Sequence, residues 1–252
     1  MSEGKLYIGT SGIVLPYKNQ LAYPEALKGL SRLSVYSTIF NSLEVNSIFY
    51  KLPRPATVAR WAESVNKEFR FTFKLGKQVT HSPQLDFDKA DLVKYFEVIT
   101  AARENAGCLL VQFPPSVKCG FFKKVRALLS GIQQLNDGAW PIAVEFRSPC
   151  WYTDETYELL NQQRAAIVYH DKWGSESPQP NLDADYIYLR FHGPRGDYKD
   201  SYDPGILHEY AAYVNDWMHS GKSVFVYFNN TIGDALGNAR TLVKLIGKGD
   251  RR

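Results

Sequence analysis

The stretch Ala143-Val144-Glu145-Phe146-Arg147 (AVEFR) begins as an apolar run and turns charged at its end. In a β-strand successive side chains take opposite faces, so Ala143, Glu145 and Arg147 share one face while Val144 and Phe146 share the other. The same pattern recurs along the chain. LEVN (43–46) sets Glu44 and Asn46 against Leu43 and Val45; YLRFH (188–192) sets Tyr188, Arg190 and His192 against Leu189 and Phe191. Apolar runs also end at Lys74, at Gln112 and at Asn229-Asn230. Six segments of this kind predict one polar cluster at the carboxyl ends of parallel strands, where α/β barrels place their active sites.

Working outward from these endings, eight runs read as strands: LYIG (6–9), SLEVN (42–46), RFTFK (70–74), CLLVQF (108–113), PIAVEF (141–146), AAIVYH (165–170), YIYLRFH (186–192) and SVFVYF (223–228). Helical signals separate them. Residues 25–38 suit a helix. Pro55 opens another that carries Val58, Trp61, Ala62 and Val65 at helical spacing. Leu92 to Ile99, Phe122 to Ile132, Leu207 to Met218 and Leu236 to Ile246 show the same period. Thr153 and Asp203 stand where helix caps belong, Asp203 with Pro204 behind it. Between the sixth and seventh strands, Trp173 to Asp185 holds Gly, Ser, Pro and Asn without a helical period, which predicts a long loop in place of a helix. Alternation of this kind makes parallel strands with crossover helices. The expectation is a single α/β domain over 1–252, a (β/α)8 TIM-type barrel. No G-x-G-x-x-G follows the first strand, which argues against dinucleotide binding.

Composition narrows the function classes. The formal charge of +4 in 252 residues favours anionic ligands without marking a nucleic-acid binder, and the tail 248–252 supplies part of that excess and reads as a frayed end. The three cysteines, Cys108, Cys119 and Cys150, show no CxxC spacing, so free thiols in a reducing compartment are expected rather than disulfides or zinc. No signal-peptide pattern opens the chain and no apolar run reaches membrane-spanning length. The expectation is a cytoplasmic, non-membrane protein; oligomeric state stays open.

Strand parity then builds the site. Charges facing the helices would be stranded, so Glu44, Asn46, Lys74, Gln112, Glu145, Arg147, Arg190, His192 and Asn229 are expected in the upper lumen. Ser11, His81, Asp171 and Asn230 would join from the loops beyond, whereas His170 reads as outward and structural. Three cations against two carboxylates disfavour a divalent metal, which needs a neutral or negative ligand set, and no cofactor is expected. Arg as a fork and Lys as a point charge suit an anionic small molecule. Glu44 and Glu145, with His192 and His81, are the acid–base candidates. Aromatics just after the strands, among them Tyr50 and Trp151, would offer stacking faces over the mouth. The competing view is a satisfied salt-bridge layer without chemistry.

At these residues the chain resembles the YecE-like family, catalogued as domain of unknown function 72. The carriers are IGTSG (8–12), FNSLEVNSIFYKLP (40–53), FTFKLGKQVTH (71–81), LLVQFPPS (109–116), AVEFRSPCW (143–151), YLRFHGP (188–194) and YFNN (227–230) with Asn238-Ala239. The resemblance implies a TIM-type barrel and no established activity. Two positions depart from the family pattern: Ile13 stands where Trp is usual, and Ser148 where His is frequent.

Three functions are therefore expected to compete. The first is a hydrolase or lyase acting on an anionic, possibly phosphorylated ligand, with Glu acid–base groups and Lys74, Arg147 and Arg190 binding the anion. A glycosidase form would need Glu44 and Glu145 about 5 Å apart for retention or roughly 6.5–9.5 Å for inversion. The second is a nucleic-acid binder using Arg54, Arg60, Lys77, Arg195 and Lys199. The third is a non-catalytic metabolite sensor at the same mouth.

Overall fold

The computed structural model describes residues 3–249. Of the tail 248–252 read above as frayed, residues 250–252 lie outside the described residues, whereas Lys248 and Gly249 continue the last helix. Eight strands are present: β1 (Leu6–Thr10), β2 (Ser42–Val45), β3 (Arg70–Lys74), β4 (Ala106–Gln112), β5 (Ile142–Glu145), β6 (Ala165–His170), β7 (Tyr186–Phe191) and β8 (Ser223–Phe228). Between and after them come α1 (Arg32–Ser37), α2 (Ser47–Tyr50), α3 (Pro55–Glu63), α4 (Lys77–Thr80), α5 (Lys89–Ile99), α6 (Phe122–Asn136), α7 (Asp154–Gln162), α8 (Pro204–His219) and α9 (Ala235–Gly249). The strands follow the order β1-β8-β7-β6-β5-β4-β3-β2, each pair parallel. A parallel bridge between Ser11 and Glu44 joins the two ends of that order. The result is the expected TIM-type barrel.

The β1–β2 seam closes largely through side chains. Asn41, just before β2, donates from Nδ2 to Leu6 O (2.7 Å) and accepts from Ile8 N at Oδ1 (2.9 Å). Tyr36 of α1 accepts from Thr10 N at 2.7 Å and donates to Ser42 O at 3.1 Å. Gly9 permits this approach, because a Cβ there would fall 1.9 Å from Ser42 O. Above it, Gly12 N donates to Glu44 O at 2.8 Å.

Two layers of apolar residues surround the strands. Inside, Tyr7, Cys108, Leu110, Ala143, Ala166, Val168, Tyr186, Tyr188, Phe225 and Tyr227 fill the lumen, so the barrel has a packed interior. Tyr7 stacks on Phe225 at 4.8 Å, and Tyr227 OH bonds both Ser42 Oγ (2.6 Å) and Thr72 Oγ1 (2.7 Å). Outside, Val144, Phe146, Leu189, Phe191, Val226 and Phe228 pack on the helices. Charged positions follow the same parity: with the outward face apolar, Glu44, Glu145 and Arg190 can only enter the lumen.

The helix expected over 25–38 is divided. A 3-10 turn occupies Glu25–Leu27, Gly29 takes φ +80°, and Ser31 accepts from Ser34 N to start α1. A left-handed glycine interrupts what composition alone would continue. Helices α2 and α4 are single turns that the periodicity did not announce. Thr153 and Asp203 cap α7 and α8 as expected. The β6–β7 connection contains no helix. Its polar side chains serve β6 instead: Asn181 accepts from Ile167 N (2.7 Å) and donates to Ala165 O (2.9 Å), while Ser177 accepts from His170 N (3.0 Å) and donates to Val168 O (2.7 Å). No helix among the described residues is long and apolar enough to cross a membrane.

Candidate functional site

Arg190, at the end of β7, is the hub of the upper lumen. Its Nε and Nη2 form a fork on Glu44 (2.9 and 2.6 Å), and its Nη1 reaches Glu145 Oε2 at 2.7 Å. Glu44 also accepts from Ser11 Oγ and Tyr188 OH, each at 2.6 Å. Both Glu44 oxygens are therefore doubly bonded, and Glu44 holds Arg190 with little capacity left for a ligand. Tyr188 was legible as a face-mate of Arg190 two residues earlier, but its role as a donor to Glu44 was not.

Glu145 is less complete. Arg147 lies in ion-pair contact with Glu145 Oε1, yet no properly directed hydrogen bond reaches that buried oxygen. Burial would raise the Glu145 pKa, but Arg147 and Arg190 outweigh it and hold the carboxyl well below the usual range. Arg147 Nη2 stands 2.9 Å from His192 Nε2, while its buried Nη1 has no partner.

His192 is neutral: burial, then Arg147 and Arg190, push its pKa well down. Arg190 Nη1 also approaches Nε2, at 3.5 Å. Guanidinium groups only donate, so Nε2 accepts and the proton sits on Nδ1. That nitrogen lies 3.3 Å from Asp171 Oδ1 without a directed hydrogen bond, and the His192 backbone N donates to the same oxygen at 2.7 Å. Tyr202 OH donates to Asp171 Oδ2. Burial lifts the Asp171 carboxyl to about 6. A continuous chain thus runs from Tyr202 through Asp171, His192, Arg147, Glu145 and Arg190 to Glu44.

Lys74 ends β3. Its Nζ lies 4.0 Å over the Phe49 ring and among the described residues pairs with no carboxylate, since Arg190 and Arg147 occupy the carboxylates of the lumen. Desolvation, then Arg190, lower its pKa to about 8. His81 meets the same Phe49 ring edge-on at 4.9 Å, with Nδ1 2.9 Å from Thr80 Oγ1. Partial burial and the Lys74 charge lower its pKa to about 4. Gln112, beside Glu145 in register, donates to Phe113 O at 2.7 Å, which leaves its amide oxygen as an acceptor. Asn46 follows Glu44, with a buried Oδ1 that has no partner. Asn229 is half-buried at the end of β8.

Three expected positions lie elsewhere. Asn230 does not join the cluster; its Nδ2 bonds Asp200 O and Asn238 Oδ1, each at 2.9 Å, and so fixes the β7–α8 loop to α9. Trp151 offers no stacking face. It is 0 % exposed, stacks on outward-facing Phe146 at 4.4 Å and donates from Nε1 to Val117 O at 2.8 Å. The apolar helix layer claimed it, and nothing in the local sequence separates that outcome from a mouth position. His170 faces inward rather than outward, because Ala166 and Val168 on its parity line the lumen. Both faces of AAIVYH are apolar, so the sequence gives no parity there. His170 is nonetheless locked: Nδ1 accepts from Lys172 N and Nε2 lies by Phe146 O, each at 3.1 Å. Tyr50, by contrast, is 70 % exposed and Trp173 82 %.

Against this geometry the relatives can be placed. A family model described as "Protein of unknown function DUF72" matches residues 7–252. The chain belongs to the DUF72 family. Over 272 aligned residues it is 25% identical to the UPF0759 protein YunF of Bacillus subtilis (strain 168), covering 96% of this chain and 94% of that protein. A 145-residue match to the UPF0759 protein YecE of Escherichia coli (strain K12) is 36% identical and covers 57% of this chain and 52% of that protein. Two solved DUF72 structures have the same fold. One from Enterococcus faecalis V583 superposes with TM-score 0.79 at 19% identity over 98% of this chain and 99% of its own. One from Thermotoga maritima MSB8 gives TM-score 0.74 at 26% identity over 96% and 99%.

The two departures from the DUF72 pattern have separate surroundings. Ile13 lines an apolar cavity of about 300 Å³ with Leu33, Leu43, Val45, Trp61 and Phe71, between β2 and the helices α1 and α3. Ser148 follows Arg147, with Oγ 3.4 Å from both Lys118 Nζ and Cys150 Sγ.

Proposed function

We propose that this DUF72 protein is an enzyme that binds an anionic, phosphorylated small molecule at the carboxyl-end mouth of its barrel and cleaves it by hydrolysis or elimination. One observation carries the reading: among the described residues Arg147 Nη1 is buried without an acceptor, and Lys74 Nζ, set over the Phe49 ring, is in no ion pair. A buried guanidinium nitrogen without a partner is costly, and a phosphate or carboxylate oxygen is the acceptor it fits best. Counting Asp171, the network sums to neutral, but its charges are separated. The carboxylates lie behind Arg190 or toward Tyr202, and the open nitrogens belong to Arg147 and Lys74. Among the described residues no group of three His, Cys, Asp or Glu side chains is placed to share a metal ion.

The roles follow from what each group has left to offer. Glu44 is saturated and positions Arg190. The arginine also separates Glu44 from Glu145, which removes the open gap a glycosidase pair would need. Glu145, with an undirected Oε1, is the acid–base group, and His192 is its neutral neighbour. As it stands, Glu145 is a weak base because Arg147 and Arg190 stabilise its charge. An anion that draws Arg147 away would raise the Glu145 pKa, so ligand binding would itself switch the base on. Asn46, Gln112 and Asn229 supply orienting amides. Within the same proposal the free thiols fit a reducing, cytoplasmic compartment.

The test is thermal stability of the parent and of Arg147→Ala with inorganic phosphate, sugar phosphates and nucleotides. A ligand at about one hundred times its Kd adds roughly 2.7 kcal/mol to stability. Stabilisation of the parent that Arg147→Ala abolishes is expected; equal shifts in both proteins, or none in either, overturn the reading. Glu145→Gln should then remove turnover of any stabilising ligand while leaving its binding intact. The exposed Tyr50 and Trp173 favour a second reading, a nucleic-acid surface at the rim. Its basic set is weakened because Arg195 is paired with Asp200 at 2.6 Å.

A further inference from the structure

Cys119 and Cys150 meet at the outer rim of the barrel, although 31 residues separate them in sequence. Cys119 opens the 3-10 turn Cys119–Phe121 ahead of α6, and Cys150 sits in the turn Pro149–Trp151 that follows β5. Cys150 Sγ accepts from Cys119 N at 3.0 Å and lies 3.4 Å from Ser148 Oγ. Lys118 Nζ approaches the same serine at 3.4 Å. The two turns are tied by a second, independent contact: Trp151, wholly buried, donates to Val117 O at 2.8 Å. The approach of Cys119 to the Cys150 sulfur is therefore held by two separate contacts between the turns. Cys119 is exposed, Cys150 partly so, and Cys108 is sealed in the lumen.

We propose that Cys119 and Cys150 are a peroxide-reactive thiol pair that closes to a reversible intramolecular disulfide, with Cys150 as the attacking sulfur and Cys119 as the resolving one. This inference does not depend on the function proposed above. Partial burial opposes the Cys150 thiolate, but hydrogen bonds from Ser148, the Cys119 thiol and the Cys119 backbone, with the Lys118 charge, lower its pKa overall. Cys119 is raised, chiefly because it keeps its proton to donate to Cys150. The thiolate is the nucleophile in such chemistry. Cys150 sulfur attacks a hydroperoxide, the O–O bond breaks, one oxygen becomes the sulfenic acid, and the other leaves as an alcohol (water, from hydrogen peroxide) after taking a proton. Cys119 sulfur then attacks the sulfenic sulfur, the S–S bond forms, and the hydroxyl leaves with the Cys119 proton as water. Two thiols are oxidised by two electrons and one hydroperoxide is reduced. Because Cys150 lies three residues beyond Arg147, the disulfide would lock the loop that carries the open guanidinium.

The intact protein, reduced and then exposed to hydrogen peroxide, tests this by mass spectrometry without reductant. A Cys119–Cys150 linked peptide that forms within one chain, disappears with dithiothreitol and leaves Cys108 untouched is expected. Cys119→Ser should accumulate a dimedone-reactive sulfenic acid on Cys150. In that variant Cys150 should also alkylate with iodoacetamide at pH 7 faster than Cys119 does in Cys150→Ser, because the Ser148 hydrogen bond and the Lys118 charge still favour its thiolate. Independent oxidation of the two thiols, links only between chains, or equal alkylation rates would each overturn the proposal.

Discussion

At Lys74, burial and charge act in one direction. Desolvation and Arg190 both disfavour the ammonium, and the pKa falls to about 8. If the lysine helps hold an anion, affinity should be greatest below that value and fall as pH rises through it. Isothermal titration with a stabilising phosphate ligand between pH 7 and 9 measures this, and Lys74→Arg should remove the decline because guanidinium stays charged. His170 gives the corresponding stability prediction. Burial lowers its pKa to about 4 against 6.5 unfolded. The unfolded chain therefore binds the proton first, so stability is full above about 6.5 and is lost as pH falls toward 4. The shift corresponds to about 3 kcal/mol as an upper figure. Asp171, raised to about 6, acts oppositely over the same range and offsets part of the loss. Chemical denaturation at pH 7 and pH 5 should show a smaller acid loss in His170→Gln than in the parent. Residue identity was readable from sequence wherever a polar side chain interrupts an apolar run, as at Glu44, Glu145 and Arg190. It was not readable at Trp151, because an aromatic after a strand packs inward or lines the mouth according to the neighbouring loops.

Among the elements, the junction of β1 and β2 depends most on single side chains. Elsewhere neighbouring strands share backbone ladders, but here Tyr36 and Asn41 carry much of the pairing. Tyr36→Phe keeps the ring and removes the hydroxyl, which leaves the buried Thr10 N–H without its acceptor. An orphaned buried donor costs about 1–3 kcal/mol, so the urea midpoint should drop with an unchanged m-value. A midpoint equal to the parent's would show that another group receives the Thr10 amide. The strands were legible to within a residue or two because alternating and continuous apolar runs carry their own period. The division of 25–38 was not, since one left-handed glycine outweighs a run of helix-compatible residues.

For the whole molecule, Arg190 links β2, β5 and β7 through Glu44 and Glu145. Arg190→Met would strand two buried carboxylates, and removing one partner of a buried pair costs about 3–5 kcal/mol. Adding Glu44→Gln and Glu145→Gln should recover much of that loss in the same denaturation assay; a triple variant no more stable than Arg190→Met would show that the cost is packing rather than charge. The surface makes a separate prediction. A ligand held between Arg147 and Lys74 should show a shallow salt dependence, whereas duplex or single-stranded nucleic acid bound across the rim should lose affinity steeply, by a log–log slope near −0.9 or −0.7 per phosphate contact respectively. Fluorescence anisotropy at 50 and 200 mM salt separates the two, and tight, steeply salt-dependent oligonucleotide binding would favour the rim over the lumen.

The sequence by itself determined the barrel, the parity of most strands and the set of polar groups gathered at one end. Each of these follows from period-two alternation and the cost of burying charge, which act locally and leave a mark in every strand. The tertiary structure alone decided how those groups share protons and partners. Glu44 is saturated while Glu145 is not, His192 carries its proton on Nδ1, Lys74 is left without a carboxylate, and Cys119 meets Cys150. Such outcomes depend on distances between residues far apart in the chain, and on which of several eligible donors reaches an acceptor first; strand periodicity specifies neither.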